Sequence, residues 1–480
     1  MEWFSYVFGT VYLLTIVFAI IIISQEHKTP LRAISWILAV ILLPVLGMLL
    51  YLNFGRRFRR AKIFSRKGLK DFMWLEELSK FQIDSLNDEN LQLVGRVQSK
   101  LNIIKLLLNN NKSILTNKNE LTILHNGAQT FAFLLSDLQA AKNHIHLEYY
   151  IFEDDEIGNT IRSILIEKAN QGVEVRFIYD DVGSWSLSRN FINPMHEAGV
   201  ETGCFMPVRF PLFAHKVNYR NHRKIVVIDG KTGYVGGVNV SDKYIDGDPE
   251  LGPWRDTHLK IEGYAVQSLQ AVFLADWYFV SKKLEDDVKY FPPNPAKGNQ
   301  LVQITSSGPD SDWGSIMQAY FTAITTAEKY IYISTPYFLP NESILTGLVT
   351  AALRGIDVRL LIPERSDLSI VHWGSLSYIE RILQAGVKVY QYKKGFNHGK
   401  IMIVDDIFSS VGTANMDIRS FDKNFEVNAL IYDEKASLEL RSQFMEDLSR
   451  SKPIDFKEFL KRPFSHKILE ASARLLSPIL

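Results

Sequence analysis

His222-Arg223-Lys224-Ile225-Val226-Val227-Ile228-Asp229 and His398-Gly399-Lys400-Ile401-Met402-Ile403-Val404-Asp405 are one pattern written twice: His-x-Lys, four apolar residues, Asp. Each copy is followed at the same spacing by a small-residue turn and an asparagine, Gly236-Gly237-Val238-Asn239 and Gly412-Thr413-Ala414-Asn415. The apolar runs Ile225–Ile228 and Ile401–Val404 are of the β-branched kind that reads as a buried strand. Residues two apart on a strand share a face, so His222 projects with Lys224 and His398 with Lys400.

If the two halves converge, two imidazoles, two ammonium groups and two Asn amides surround one small volume, which suits a phosphodiester. Lysine and asparagine donors would hold the non-bridging oxygens and neutralise charge developing in the transition state. One neutral imidazole could attack phosphorus while the other, protonated, gives its proton to the leaving alcohol; histidine suits both roles because its pKa lies near neutrality. A lone His of this kind reads more simply as the end of a buried strand, but duplication of the whole motif argues against that. A zinc site is disfavoured because each His has a Lys two residues away on the same face.

More of the chain is duplicated. Ala141–Tyr150 echoes Ala327–Pro336, and Ala169–Arg176 parallels Ala352–Arg359, a helix closed by glycine before a strand. Ala198-Gly199-Val200 likewise matches Ala385-Gly386-Val387. Helices alternating with short apolar strands indicate an α/β sandwich in each half, residues 116–295 and 296–480, packed into one catalytic unit. The breaker-rich stretch Phe291–Asn299 joins them.

The N-terminus is of another kind. Trp3–Ile23 and Ala33–Phe54 are apolar runs long enough to cross about 30 Å of hydrocarbon, which predicts a two-helix transmembrane hairpin over 1–54. Pro44 and Gly47 read as a mild kink in the second run. Arg56, Arg57, Arg59, Arg60, Lys62, Arg66, Lys67 and Lys70 follow with no acid among them, and a basic juxtamembrane helical neck is predicted over 55–115. Lys28 and Arg32 against Glu26 leave the loop nearly neutral, so the positive-inside bias places the C-terminal part in the cytoplasm. The lone Cys204 agrees with a reducing compartment. Net charge +1 over 480 residues gives no nucleic-acid footprint. Residues Lys457–Leu480 read as an amphipathic helix packed on the domain. His144, His146, His196, His215 and His372 read as structural or exposed.

The doubled H-x-K-x4-D resembles the signature of the phospholipase D superfamily. Together with the hairpin and basic neck, the chain is similar over essentially its whole length to the bacterial cardiolipin synthases. That resemblance implies a multi-pass bacterial cell-membrane enzyme that moves a phosphatidyl group from one phosphatidylglycerol to another, releasing glycerol, with no cofactor and no nucleic-acid partner. It implies a catalytic set of His222, Lys224, Asp229, His398, Lys400 and Asp405, with His222 as nucleophile, His398 as general acid, and the two aspartates bracing the motif. Phosphate contacts are assigned to Asn239, Asn415 and, in the second half alone, the hydroxyl of Thr413, where the first half has Gly237. Asp256 and Glu426, at equivalent places after the motifs, are expected to orient the imidazoles. A hydrolytic phospholipase D, a tethered nuclease and an inactive scaffold are the alternatives. Oligomeric state is not legible.

Overall fold

In a computed structural model of the chain, residues 2–25, 30–51, 73–87, 95–208, 218–283, 285, 287–293 and 297–476 are described. The basic run Arg56–Lys70, the loop around Lys28, His215 and the last four residues lie outside them. The chain divides into a unit of residues 1–67 with 208–217 and a larger one of 68–207 with 218–480.

The larger unit carries both motifs. Its first-half strands are β1 (Leu115–Leu124), β2 (His144–Tyr149), β3 (Glu174–Asp180), β4 (Glu201–Phe205), β5 (Ile225–Ile228), β6 (Thr232–Gly236), β7 (Trp254–Arg255) and β8 (His258–Glu262). The second-half strands are β9 (Gln300–Ser307), β10 (Tyr330–Ser334), β11 (Phe338–Leu339), β12 (Asp357–Pro363), β13 (Lys388–Tyr392), β14 (Phe396–Asn397), β15 (Ile401–Val404), β16 (Phe408–Gly412), β17 (Met416–Asp417), β18 (Glu426–Ile431) and β19 (Ser451–Pro453). Among the described residues one 15-stranded sheet runs β4-β3-β2-β5-β6-β8-β1-β9-β18-β16-β15-β10-β12-β13-β19. With β19 set aside, the order from either edge to the centre is the same, which makes the duplication structural. The two α/β halves form one unit, as expected, through a continuous sheet: β1 pairs antiparallel with β9, Leu115 opposite Gln303 and Thr116 opposite Val302.

β5 and β15 are buried along their length, as β-branched central strands should be. Each ends in a tight turn whose central residues both have positive φ, Asp229-Gly230 at 54° and 63° and Asp405-Asp406 at 58° and 59°. Aspartate tolerates that region better than bulkier residues. The expected glycine helix stops are present at Gly172 and Gly355, with φ of 86° and 91°. Helix Ala265–Ser281 lies against the first-half strands and its counterpart Glu434–Ser449 against the second-half strands. The C-terminal segment, expected as one amphipathic helix, holds two among the described residues, Phe456–Leu460 and Phe464–Leu476, and the second packs on helix Ser369–Gln384.

Part of the predicted neck is core. In helix Leu101–Asn111, Ile103, Ile104, Leu107 and Leu108 are fully buried in the second half's apolar cluster.

In the smaller unit the predicted spans are helices Glu2–Gln25, Pro30–Leu42 and Pro44–Leu50. The second is interrupted at Leu43 (φ −132°, ψ 72°), where Pro44 supplies no N–H. Ile22, Val40 and Tyr51 bury one another between these helices. Among the described residues no helix is long and apolar enough to cross a membrane. Positions 52–54, which end the second predicted span, lie outside the description.

Candidate active site

The two halves exchange strands where the motifs begin. β14 pairs in parallel with β7, Phe396 opposite Trp254 and Asn397 opposite Arg255, and Asn221 bridges Phe425 in the same sense. The amide of His222 donates to the carbonyl of Phe425 at 2.9 Å, and that of His398 to the carbonyl of Arg255 at 2.7 Å. Each histidine is therefore fixed by the backbone of the opposite half.

The side chains repeat this exchange. His222 Nδ1 is 2.9 Å from Glu426 Oε2, and His398 Nδ1 is 2.7 Å from Asp256 Oδ2. Lys224 Nζ donates to the His222 carbonyl at 2.8 Å. Lys400 Nζ donates to the His398 carbonyl at 2.7 Å and lies 3.0 and 3.1 Å from that imidazole's two nitrogens. All six side chains are buried.

Burial sets their protonation. It lowers His222 to about 4, against the pull of Glu426, and His398 to about 3, where Lys400 adds to the effect. Lys224 falls to about 7 through burial and the neighbouring charge of Lys400, and Lys400 to about 8, mainly through burial. Burial alone would raise Asp256 and Glu426. Lys400 and His398 outweigh it for Asp256, and His222 and Thr413 for Glu426, so both carboxyls lie below the usual range. The arrangement is two neutral imidazoles, each with Nδ1 facing a carboxylate, beside ammonium groups poised near neutrality, and Lys400 also reaches Nε2 of His398.

The other predicted residues fall into three groups. Asn239 is locked by its neighbours: Oδ1 accepts from the Ile151 amide at 3.2 Å and Nδ2 donates to Tyr244 Oη at 2.8 Å. Asn415 is buried, its backbone amide donates to Ser420 Oγ at 3.1 Å, and its Oδ1, an acceptor, is unpartnered. The hydroxyl of Thr413, expected at the phosphate, is turned to Glu426. Its Oγ1 donates to Glu426 Oε2 at 2.5 Å and accepts from the Val427 amide at 2.9 Å, so the hydroxyl positions the carboxylate. The first half has Gly237 because Asp256 fills that space: a Cβ there would meet Asp256 Oδ1 at 2.1 Å.

Asp229 and Asp405 stand outside the cluster, at the far ends of β5 and β15. Asp229 accepts from the amides of Lys142, Asn143 and His144, and Asp405 from those of Glu328, Lys329 and Tyr330. Asp405 also holds the buried Lys100 ammonium at 3.0 Å. Both bind backbone amides at the strand ends opposite the imidazoles.

Sequence reasoning missed three aromatic or charged neighbours. Tyr244 Oη lies 3.3 Å from His398 Nδ1, and the Tyr150 ring packs edge-on to His222 at 4.9 Å. Arg223, between His222 and Lys224, points to the opposite face, where it pairs with Asp276 and donates Nε to the Glu426 carbonyl at 3.1 Å. Tyr244 follows Asn239 by five residues in a short turn, a spacing with no signature of its own. Among the described residues no three His, Cys, Asp or Glu side chains gather as a metal site requires.

Comparison with known proteins follows this geometry. The family described as "Cardiolipin synthase, PLD-like domain" matches residues 134–277 and 320–448, and "Phospholipase_D-nuclease N-terminal" matches 13–56. A cardiolipin synthase of Alkalihalophilus pseudofirmus is 44% identical over 100% of this chain and 95% of its own length. The major cardiolipin synthase of Bacillus subtilis is 43% identical over 98% of each chain. The crystal structure of a phosphatidylserine synthase from Haemophilus influenzae superposes with a TM-score of 0.59 at 14% identity, covering 80% of this chain and 100% of that one, a likeness of fold.

Proposed function

The chain belongs to the PLD-like cardiolipin synthase family, and we infer from that membership that it is a phosphatidyltransferase which joins two phosphatidylglycerol molecules into cardiolipin and releases glycerol. The observation that carries the chemistry is the exchanged pair of imidazole–carboxylate contacts, His222–Glu426 and His398–Asp256, with a lysine beside each imidazole.

In the first step His222 Nε2 attacks the phosphorus of the donor lipid. The N–P bond forms as the bond from phosphorus to the glycerol oxygen breaks, and His398 Nε2 gives that oxygen its proton. Glu426 stabilises the positive charge that His222 acquires. The bound phosphodiester supports protonation of His398, because its negative charge draws the Lys400 ammonium from the ring and raises the imidazole pKa. In the second step His398 Nε2 takes a proton from the glycerol hydroxyl of the acceptor lipid. That oxygen bonds to phosphorus and His222 is released. Lys224 and Lys400, with Nδ2 of Asn415 as a further donor, hold the non-bridging oxygens throughout.

Membrane attachment through residues 1–54 belongs to the same reading. Helix Glu2–Gln25 leaves Tyr12, Leu13, Ile20 and Ile23 without protein cover, as does helix Pro30–Leu42 at Ile34, Leu38 and Ile41. The basic run Arg56–Lys70 follows, and positive-inside bias puts the catalytic unit on the cytoplasmic side of a bacterial membrane.

The test is to incubate detergent-solubilised protein with labelled phosphatidylglycerol and EDTA, without CDP-diacylglycerol, and resolve the products. Cardiolipin with equimolar glycerol, lost in His222→Ala, is the expected result; phosphatidic acid in its place would establish a hydrolase.

A further inference from the structure

Among the described side chains of the larger unit, the exposed tryptophans are Trp185 and Trp313, 67% and 57% accessible, and both stand on loops around the histidine pair. Trp185 lies in the turn that leaves β3. That turn is seated on Tyr150, the residue packed against His222: Ser184 Oγ donates to the Tyr150 carbonyl at 3.0 Å, and a Cβ on Gly183 would meet the same oxygen at 2.2 Å. Trp313 lies in the loop that leaves β9, whose Gly308 abuts the ring of Phe425, the residue whose carbonyl holds the His222 amide.

The second histidine is framed the same way. Ile245, 41% exposed, follows Tyr244, whose hydroxyl reaches His398. Leu368, 52% exposed, follows Asp367, which accepts from Tyr337 Oη at 2.7 Å in the loop that leaves β12. Three loops and the short helix Lys243–Asp246, from both halves, thus present large apolar side chains at one edge of the sheet, the edge at which the imidazoles are buried. Scattered exposed aliphatics are ordinary, but a ring with a tryptophan from each half is not. Tryptophan combines an apolar body with a polar N–H and partitions to the depth where headgroups meet acyl chains.

We propose that Trp185, Ile245, Trp313 and Leu368 form a rim that docks the catalytic edge onto the bilayer surface, bringing the phosphodiester plane of the lipids to His222 and His398. This rests on the phosphatidyltransferase reading. A bilayer is the occupant because donor and acceptor both carry acyl chains, while the reacting nitrogens lie below the surface of the protein. The lipid headgroup must be met where it sits. The rim penetrates to the headgroup–acyl boundary around a lipid whose chains stay in the membrane.

The experiment compares two forms of one substrate on the full chain: long-chain phosphatidylglycerol in vesicles, and dihexanoyl-phosphatidylglycerol dispersed as monomers. Trp185→Ser/Trp313→Ser is expected to lose about tenfold or more in turnover on vesicles, from the apolar area withdrawn from lipid, and to keep wild-type kcat on the monomeric lipid. Trp185→Leu/Trp313→Leu should recover part of the vesicle activity. In parallel, bromolipid vesicles should quench wild-type fluorescence more than that of Trp185→Phe/Trp313→Phe. Equal losses on both substrates, no loss on either, or quenching unchanged by the Phe variant would overturn the rim. Wild-type protein inactive on both lipids would instead overturn the transferase reading, and the quenching arm would still decide the rim.

Discussion

Asp256 lies in the first half and its carboxylate meets the imidazole of His398 in the second, Oδ2 to Nδ1 2.7 Å. Glu426 returns the contact to His222 at 2.9 Å. Each half thus supplies the carboxylate that meets the other's histidine, and on the proposed mechanism neither is complete without the other.

Loss of either carboxylate charge should therefore disable chemistry more than binding. Asp256→Asn and Glu426→Gln are each expected to lower kcat by about a hundred- to ten-thousand-fold, with a smaller change in KM, because the wrong tautomer is favoured and the imidazolium loses its counter-charge. Steady-state kinetics on phosphatidylglycerol read both. A change confined to KM would remove the carboxylates from an orienting role.

Thr413 and Gly237 are alternative solutions to seating those carboxylates. Thr413→Val removes the donor to Glu426 and should cut kcat about tenfold, roughly the worth of one hydrogen bond to a charged group, whereas Thr413→Ser should restore it. Gly237→Ala forces a Cβ onto Asp256 Oδ1 and should cost activity even where the protein folds. Activity beside circular dichroism separates the two effects.

Once bound phosphodiester has raised His398 into its protonated form, kcat should be bell-shaped in pH, with both limbs at or above the values of the free groups. The acid limb reflects His222, which must be neutral to attack: activity rises as pH climbs through about 4. The alkaline limb reflects Lys224 and Lys400, which must be charged to hold the phosphodiester: activity falls as pH passes about 7 to 8. Glu426→Gln removes a group that raises both His222 and Lys224, so both limbs should move to lower pH.

Asp405→Ala should destabilise more than Asp229→Ala. Both variants orphan backbone amides, but the first also strips the buried Lys100 ammonium of its partner, and breaking a buried pair by removing one member costs about 3–5 kcal/mol. Thermal unfolding of the two variants gives the order directly. Lys100→Met/Asp405→Asn, which removes both charges, should be milder than Asp405→Ala.

Acid should weaken the larger unit through histidines that take no part in chemistry. His146 and His258 are buried neutral, and burial lowers both to about 3. A depressed folded pKa means that the unfolded chain binds protons first. Their contribution is full above about 6.5 and is lost as pH falls toward 3. Unfolding midpoints measured between pH 7 and 4 should fall, and less steeply in His146→Phe, whose ring would keep the stacking on Phe273.

Much of this protein was open to sequence reading because its signals are local. Four consecutive apolar residues behind His-x-Lys give a buried strand, the glycines at 172 and 355 stop helices, and repetition of the whole pattern gives two halves with the same strand order. Other features were hidden because they depend on packing. Residues 101–111 read as neck, yet their apolar face is core of the second half, and nothing in their own periodicity says which sheet would cover it. Thr413 read as a phosphate contact because its neighbour in sequence is the motif, while its neighbour in space is Glu426.

The sequence by itself determined the family and the residues offered to its chemistry, the two His-x-Lys pairs and the carboxylates that follow them, because these rest on residue type and on strand periodicity. The tertiary structure alone decided the partnership. Pairing of β7 with β14 and of Asn221 with Phe425 carries each histidine into the opposite half, so that His222 is held by Glu426 and His398 by Asp256. That exchange joins positions 204 and 142 residues apart, and no local pattern encodes it: it exists only once the two halves have closed into one sheet.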